Sequence, residues 1–290
     1  MANVGSTDWM WKEEAGYYPE SPQALRENPL LPDMRSLRDR RIARLFTRMG
    51  GLSTKSRVLE LGCGRSMWLP WLGQSHGAEV IGIDLEPHAV DLAQANLAGA
   101  RVKGIILCRD AFDLDDEEAL EGAFDLVYSM GMMEHFDDPV PRLSVLGRYL
   151  APGGRLLTTV PNMRSVNWLL QRLGDRRTLE AHVVYTAHRL QLAHEAAGFE
   201  TIATGYVGFF DGYLTSSASS PSRRQKRLHA ALCRSASLAT TAWLRACRGL
   251  LAPEGSLWSP HVFYVGRLAG QETAAGARIG RASGSVTQSK

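Results

Sequence analysis

The chain has 290 residues, 44% of them hydrophobic and 22% charged, the balance of an ordinary globular protein. Its formal charge of +3 is too small for the concentrated basic face of a nucleic-acid footprint. Four scattered cysteines, Cys63, Cys108, Cys233 and Cys247, make no Cys-x-x-Cys, which argues against a zinc site or a disulfide framework and fits a reducing compartment. The opening residues lack a charged region followed by an apolar stretch, so no signal peptide is expected. No apolar run approaches the ~18 residues of a membrane-spanning helix. A cytoplasmic enzyme is the expected class.

Residues 1–30 are aromatic and turn-rich, with Trp9, Trp11, Tyr17, Tyr18, Pro19, Pro22 and Pro29. The stripe Leu37, Ile42, Leu45, Phe46 and Met49 predicts a helix over 33–49, ended by Gly50-Gly51. Arg57-Val58-Leu59-Glu60-Leu61-Gly62-Cys63-Gly64-Arg65-Ser66 then reads as a strand, an acid, a Gly-x-Gly turn and a helix start. Met67 stands where a dinucleotide fingerprint needs its third glycine. A second apolar run ends at Asp84, 24 positions after Glu60. A carboxylate there suits a ribose diol, because it accepts both hydroxyl protons. Pro87 opens the next helix. A third run from Gly104 leads to Asp110-Ala111-Phe112. Residues 124–130 give a fourth strand. Leu143, Leu146 and Leu150 form the apolar face of the helix after it. A fifth strand follows Ala151-Pro152-Gly153 and ends near Asn162. The alternation means βαβ units and a parallel sheet. A helix over 186–197 stops at Gly198, and two last strands cover 199–210 and 261–268.

The order and spacing of these five runs resemble the motif series of class I S-adenosylmethionine-dependent methyltransferases, in the branch of ubiquinone-type and natural-product enzymes. Ser66 departs from that pattern, standing where a third glycine is common. The resemblance implies an α/β fold: a Rossmann-like, doubly wound, seven-stranded sheet with an antiparallel strand seven between strands five and six. N-terminal lid helices and an insertion before the last strand would be added to it. It divides the chain into a lid and helix over 1–50 and a methyltransferase domain over 51–270. Within the domain, 161–185 and 211–260 would be substrate-cap insertions. The Gly-, Ala- and Ser-rich tail, 271–290, is expected to be disordered.

The resemblance also assigns the cofactor, S-adenosyl-L-methionine, with S-adenosyl-L-homocysteine as product. Glu60 would accept from the methionyl ammonium, and Gly62, Cys63 and Gly64 would pass beneath the methionyl and ribose portion. Asp84 would hold the ribose and Leu85 would pack on adenine. Asp110 would accept from the adenine amine, with Ala111 or Phe112 supplying backbone donors or a stacking face. Ser129 and Met130 would line the methionyl side. The alternative for Asp110 is a helix cap. Cys63 reads as a small spacer, or as a reactive thiol at a helix start.

Methyl transfer is an in-line displacement, so alignment is the enzyme's main task. A base is needed only if the acceptor must lose a proton. Glu134-His135, just after the fourth strand, would face the acceptor, and His135 titrates in the useful range. His182 on the cap is the second candidate, with Tyr185 beside it. Either histidine could instead only order its loop. Trp11, Tyr17 and Tyr18 could close over the site as a lid, since aromatic faces attract a sulfonium and exclude water, or could pack on the core. No metal is expected. Asp137, Asp138 and Asn162 are the nearest oxygen set, and Asp137-Asp138-Pro139 reads as a helix entry.

The expected function is methylation of a small-molecule acceptor at O, N or C in natural-product biosynthesis. The alternatives are an RNA or protein methyltransferase and a non-catalytic binder. No nucleic-acid partner and no membrane span are expected. The N-terminal segment and the helix over 223–251 are candidate subunit contacts. The basic cluster at Arg223 to Arg227 that opens the helix reads as a solvated edge of a cap or subunit contact, with nucleic acid or an anionic membrane surface as the alternatives.

Overall fold

A computed structural model describes residues 20–114, 119–174, 176–180, 182–210, 222–247 and 252–270. The expected lid aromatics Trp11, Tyr17 and Tyr18, and the tail, lie outside the described residues.

Helices α1 (Pro22–Glu27) and α2 (Leu37–Met49) come first, each capped by a serine hydroxyl, Ser21 and Ser36. The core then alternates: β1 (Arg57–Leu61), α3 (Trp68–His76), β2 (Glu79–Asp84), α4 (Pro87–Gly99), β3 (Gly104–Cys108), β4 (Phe124–Met130), α5 (Val140–Arg148) and β5 (Leu150–Pro161). Two cap helices follow, α6 (Val166–Gly174) and α7 (Arg176–Glu180). The chain closes with α8 (Ala187–Ala196), β6 (Phe199–Val207), α9 (Arg223–Ala246) and β7 (His261–Leu268).

The sheet runs β3-β2-β1-β4-β5-β7-β6. β7 is antiparallel to both its neighbours, and the first five strands are parallel. This is the expected seven-stranded sheet. Its strands are apolar on both faces, as buried parallel strands must be. Leu59, Leu61, Ile83, Val127 and Leu156 pack toward α5 and α8. Val58, Val80, Leu126, Tyr128 and Leu157 pack toward α2, α3 and α4.

Leu150 corrects one expectation. It is not the last turn of α5 but the first residue of β5, paired with Phe124 across a register shift. Tyr149, fully buried, caps the helix at that point. The i, i+3, i+7 spacing is satisfied because the strand re-enters the same core.

Candidate cofactor and acceptor site

The strand order reverses between β1 and β4, and the carboxyl ends of β1, β2, β3 and β4 meet at that crevice, where ligands of open α/β sheets bind. Gly62 and Gly64 turn the chain with φ of +67° and +49°, values a residue with Cβ rarely takes. A Cβ on Gly62 would also come within 3.3 Å of Met132 Sδ. The Gly62 and Cys63 N–H groups donate to Ile83 O at 2.9 and 3.1 Å, and Gly64 N–H donates to Asp84 Oδ2 at 2.7 Å. Glu86 N–H donates to Asp84 Oδ1 at 3.0 Å. Each Asp84 oxygen therefore keeps a lone pair for an incoming hydroxyl. Burial raises the Asp84 carboxyl above its ordinary value, against those backbone bonds. Leu85 beside it is 63% exposed, an apolar surface left open at the end of β2.

Glu60 lies opposite Tyr128 in the β1–β4 register. It is buried, and its Oε2 accepts from Tyr128 OH at 2.8 Å and from the Ser66 hydroxyl. Burial pushes this carboxyl up to about 8, with the two hydrogen bonds pulling the other way. Ser66, the departure from the family pattern, also accepts from Leu69 N–H at 3.0 Å and so caps the turn into α3. Cys63 is buried among apolar side chains, and burial pushes its thiol well above the ordinary value. The reactive-thiol alternative is thereby removed, because the thiolate is the nucleophile.

Asp110 is exposed, and its Oδ1 accepts from Phe112 N–H at 2.8 Å. That is the local turn role, and Oδ2 remains beside it for a second donor. Ala111 is buried and its carbonyl is taken by Tyr149 OH at 3.0 Å. Phe112 meets Phe136 edge-on, with centroids 5.4 Å apart, which ties the β3 end to the loop after β4. Ser129 is fully buried on the Leu61 and Thr158 side of the sheet, its Oγ without a hydrogen-bond partner. Met130, half-buried, packs on the opposite face, the face of Glu60 and Tyr128.

The acceptor candidates come together. After β4, Gly131 (φ +78°) leads into a 3-10 turn at Met133–His135. Val183 N–H donates to Glu134 O at 2.7 Å and draws the cap onto this turn. The rings of His135 and His182 are then 4.7 Å apart, centroid to centroid. Glu134 is buried, its Oε1 is 4.0 Å from His135 Nε2, and its Oε2 has no hydrogen-bond partner. Burial pushes Glu134 up to about 8. Tyr185 is buried with its OH also unpartnered, and burial pushes that phenol up to about 12. Buried polar atoms left open in a native fold ask for a ligand or water.

The donor atoms of Glu134, His135 and His182 lie within 4.8 Å of one another, the one group among the described residues compact enough to hold a metal ion. Of the oxygen set considered from the sequence, Asn162 donates its Nδ2 to Ser256 O and Ser259 O, both at 2.8 Å, and its Oδ1 accepts from Arg164 N–H at 3.1 Å.

A family model described as a methyltransferase domain matches residues 34–204, more than half of the chain. The chain belongs to this methyltransferase family. It is 30% identical over 140 residues to a ubiquinone biosynthesis O-methyltransferase of Sodalis glossinidius (strain morsitans), covering 48% of this chain and 54% of that protein. It is 37% identical over 102 residues to the chloroplastic tocopherol O-methyltransferase of Arabidopsis thaliana, 35% of this chain and 29% of that one. The chain thus matches about half the length of the first of these relatives and less of the second. A phosphoethanolamine N-methyltransferase 2 of Haemonchus contortus superposes with a TM-score of 0.56 at 16% identity, covering 91% of this chain and 60% of that one. That likeness shows the fold.

The family's cofactor is S-adenosylmethionine, and the residues of this chain fit it. The turn uses positive φ at Gly62 and Gly64, Asp84 keeps free lone pairs, and Leu85 offers an open apolar face. Sequence reasoning missed Tyr128 and Ser66 as the partners of Glu60. It also missed Asn96, whose Nδ2 donates to Ser66 O at 2.7 Å and to Leu30 O at 3.0 Å, and whose Oδ1 accepts from Leu30 N–H at 2.6 Å.

Proposed function

We propose that this chain transfers a methyl group from S-adenosylmethionine to a hydroxyl oxygen of a small molecule in natural-product biosynthesis. The observation that supports it is the meeting of His135 and His182 beside a buried glutamate, at the strand end next to the glycine turn. The bound cofactor supplies an already activated methyl. The protein's residues position, exclude water and move one proton.

Asp84 and Glu60 orient the ribose and the methionyl ammonium. Asp110 holds the adenine amine and Leu85 packs against its ring. The backbone of Gly62, Cys63 and Gly64 passes beneath. At the acceptor side, the neutral His135 imidazole takes the hydroxyl proton as the oxygen attacks. The buried Glu134 carboxyl, 4.0 Å from His135 Nε2, orients that ring at short range in a dry site and gives up no proton in the step. His182 and the Tyr185 hydroxyl position the acceptor. A hydroxyl acceptor makes sense of a base here, whereas a neutral amine or an electron-rich carbon would need alignment alone. The O-methyltransferases among the relatives lend support. Glu20, the first of the described residues, pairs with Arg65 beside the glycine turn, which supports a lid role for Trp11, Tyr17 and Tyr18.

The test is incubation with S-adenosylmethionine and a panel of phenols, catechols and polyketide-like hydroxyls. The expected result is one added methyl on oxygen and equal S-adenosylhomocysteine. Methyl found only on RNA or protein, or no turnover despite tight cofactor binding, would overturn it.

A further inference from the structure

The insertion between β6 and β7 carries a feature that methyl transfer does not use. Helix α9 contains Arg223, Arg224, Lys226, Arg227, Arg234 and Arg245 and no acidic residue at all. Its 24 residues make a rod about 36 Å long at 1.5 Å per residue. One narrow seam, His229, Cys233 and Ser237, is buried. The helix packs on α6, where Gln225 Nε2 donates to Leu173 O at 2.8 Å.

At 3.6 residues per turn the rest of the surface divides into two stripes. Leu228, Leu232, Ala239 and Trp243 follow one another at helical spacing, and Leu228, Leu232 and Trp243 are 60%, 38% and 50% exposed. Leu169 and Leu173 on the adjoining α6 are also exposed, and extend the apolar area. Arg223, Arg227, Arg234 and Arg245 align on a second exposed stripe, with Arg224 between the two. Among the described residues none of these five arginines is in an ion pair. An exposed apolar stripe beside an uncompensated basic one is the signature of a helix that lies in a bilayer interface. No helix of the described residues is long and apolar enough to cross a membrane.

We propose that α9, with α6 beside it, docks the protein flat on an anionic phospholipid bilayer. Leu228, Leu232 and Trp243 would enter the acyl boundary. The arginines would reach the phosphates on long stems, as such side chains do. Charge decides between this and the other occupants. Two copies packed through α9 would bring cations face to face with no carboxylate on either helix. A nucleic acid would meet the arginines but has no use for exposed leucine and tryptophan. The α6–α9 pair hangs from the carboxyl end of β5, the sheet edge that carries the cofactor turn.

The experiment uses the full chain in co-sedimentation with vesicles of phosphatidylcholine alone or with phosphatidylglycerol, at several salt concentrations. Binding is expected only to the anionic vesicles, and should weaken as salt rises. Each interfacial cation contributes about fivefold to partitioning. The Arg223→Gln, Arg227→Gln, Arg234→Gln protein should therefore bind about a hundredfold more weakly, with melting temperature and cofactor affinity unchanged. Leu228→Ser with Leu232→Ser should also release the protein from vesicles. Overturning results are no binding to anionic vesicles at low salt, or binding that the arginine and leucine variants leave intact. A dimer by light scattering that the leucine variants dissolve, or duplex nucleic acid bound more tightly than vesicles, would equally overturn it.

Discussion

The backbone N–H of Gly64 donates to Asp84 Oδ2 at 2.7 Å, so the turn after β1 and the carboxylate that ends β2 are held as one piece. The proposed ribose partner and the proposed floor beneath the methionyl group keep their spacing whatever the surrounding insertions do.

Asp84→Ala should weaken S-adenosylmethionine binding by about 1.5–3 kcal/mol, the scale of a lost charge-assisted hydrogen bond. Titration calorimetry on the folded variant measures it. Unchanged affinity would remove Asp84 from the cofactor site.

Glu60 makes cofactor binding a proton-linked event. Its carboxyl sits at about 8 in the free protein, so it is mostly protonated at pH 7. An ammonium placed beside it favours the ionised form, and the proton leaves. Calorimetry at pH 7 in buffers of different ionisation enthalpy should show net proton release, and Glu60→Gln should abolish it. The stability sign follows from the same shift. A carboxyl raised in the folded state favours folding fully below its ordinary value, and the benefit is lost as pH rises through about 8. The ligand-free protein should therefore melt at lower temperature at pH 9 than at pH 5, and less steeply so in Glu60→Gln.

The two histidines separate by kinetics. His135→Ala should lower turnover 10²–10⁴-fold, the usual worth of a general base, with cofactor affinity nearly intact and partial rescue by alkali for a phenolic acceptor. His182→Ala should act mainly on KM. A fully active His135→Ala beside a dead His182→Ala would move the base to the cap.

Chelation is expected to leave turnover unchanged. Loss of activity in EDTA, restored by Mn²⁺ or Zn²⁺, would make Glu134, His135 and His182 the ligands, since their donor atoms lie within 4.8 Å of one another.

Removal of residues 1–19 should preserve the fold, because Glu20, the Ser21 cap and the Leu25 contact all remain. Turnover should fall strongly as water enters the site. Equal rates for the full and shortened proteins would leave the lid without a role.

The cofactor half of the site was legible because it is local. Each strand is an apolar run ending in the residue proposed to meet the ligand, and the glycine turn lies within one short segment. What stayed hidden is set by neighbours distant in the chain. Tyr128 reaches Glu60 only because β4 lies beside β1, although a tyrosine in an otherwise apolar strand was a signal. His182 meets His135 through one backbone bond from Val183 to Glu134, which no periodicity encodes. Leu150 was misplaced because helix and strand present it to the same core.

The side chain of Asn96 joins α4 to two places at once, the backbone of Leu30 and the carbonyl of Ser66. Where the folding unit starts is therefore not where the sheet starts. A chain shortened to begin at residue 34, the start of the family match, would strip a fully buried amide of its Leu30 partners while leaving every strand intact. Such a protein would carry its defect under the cofactor turn, far from the cut, and would be mistaken for one with a damaged active site.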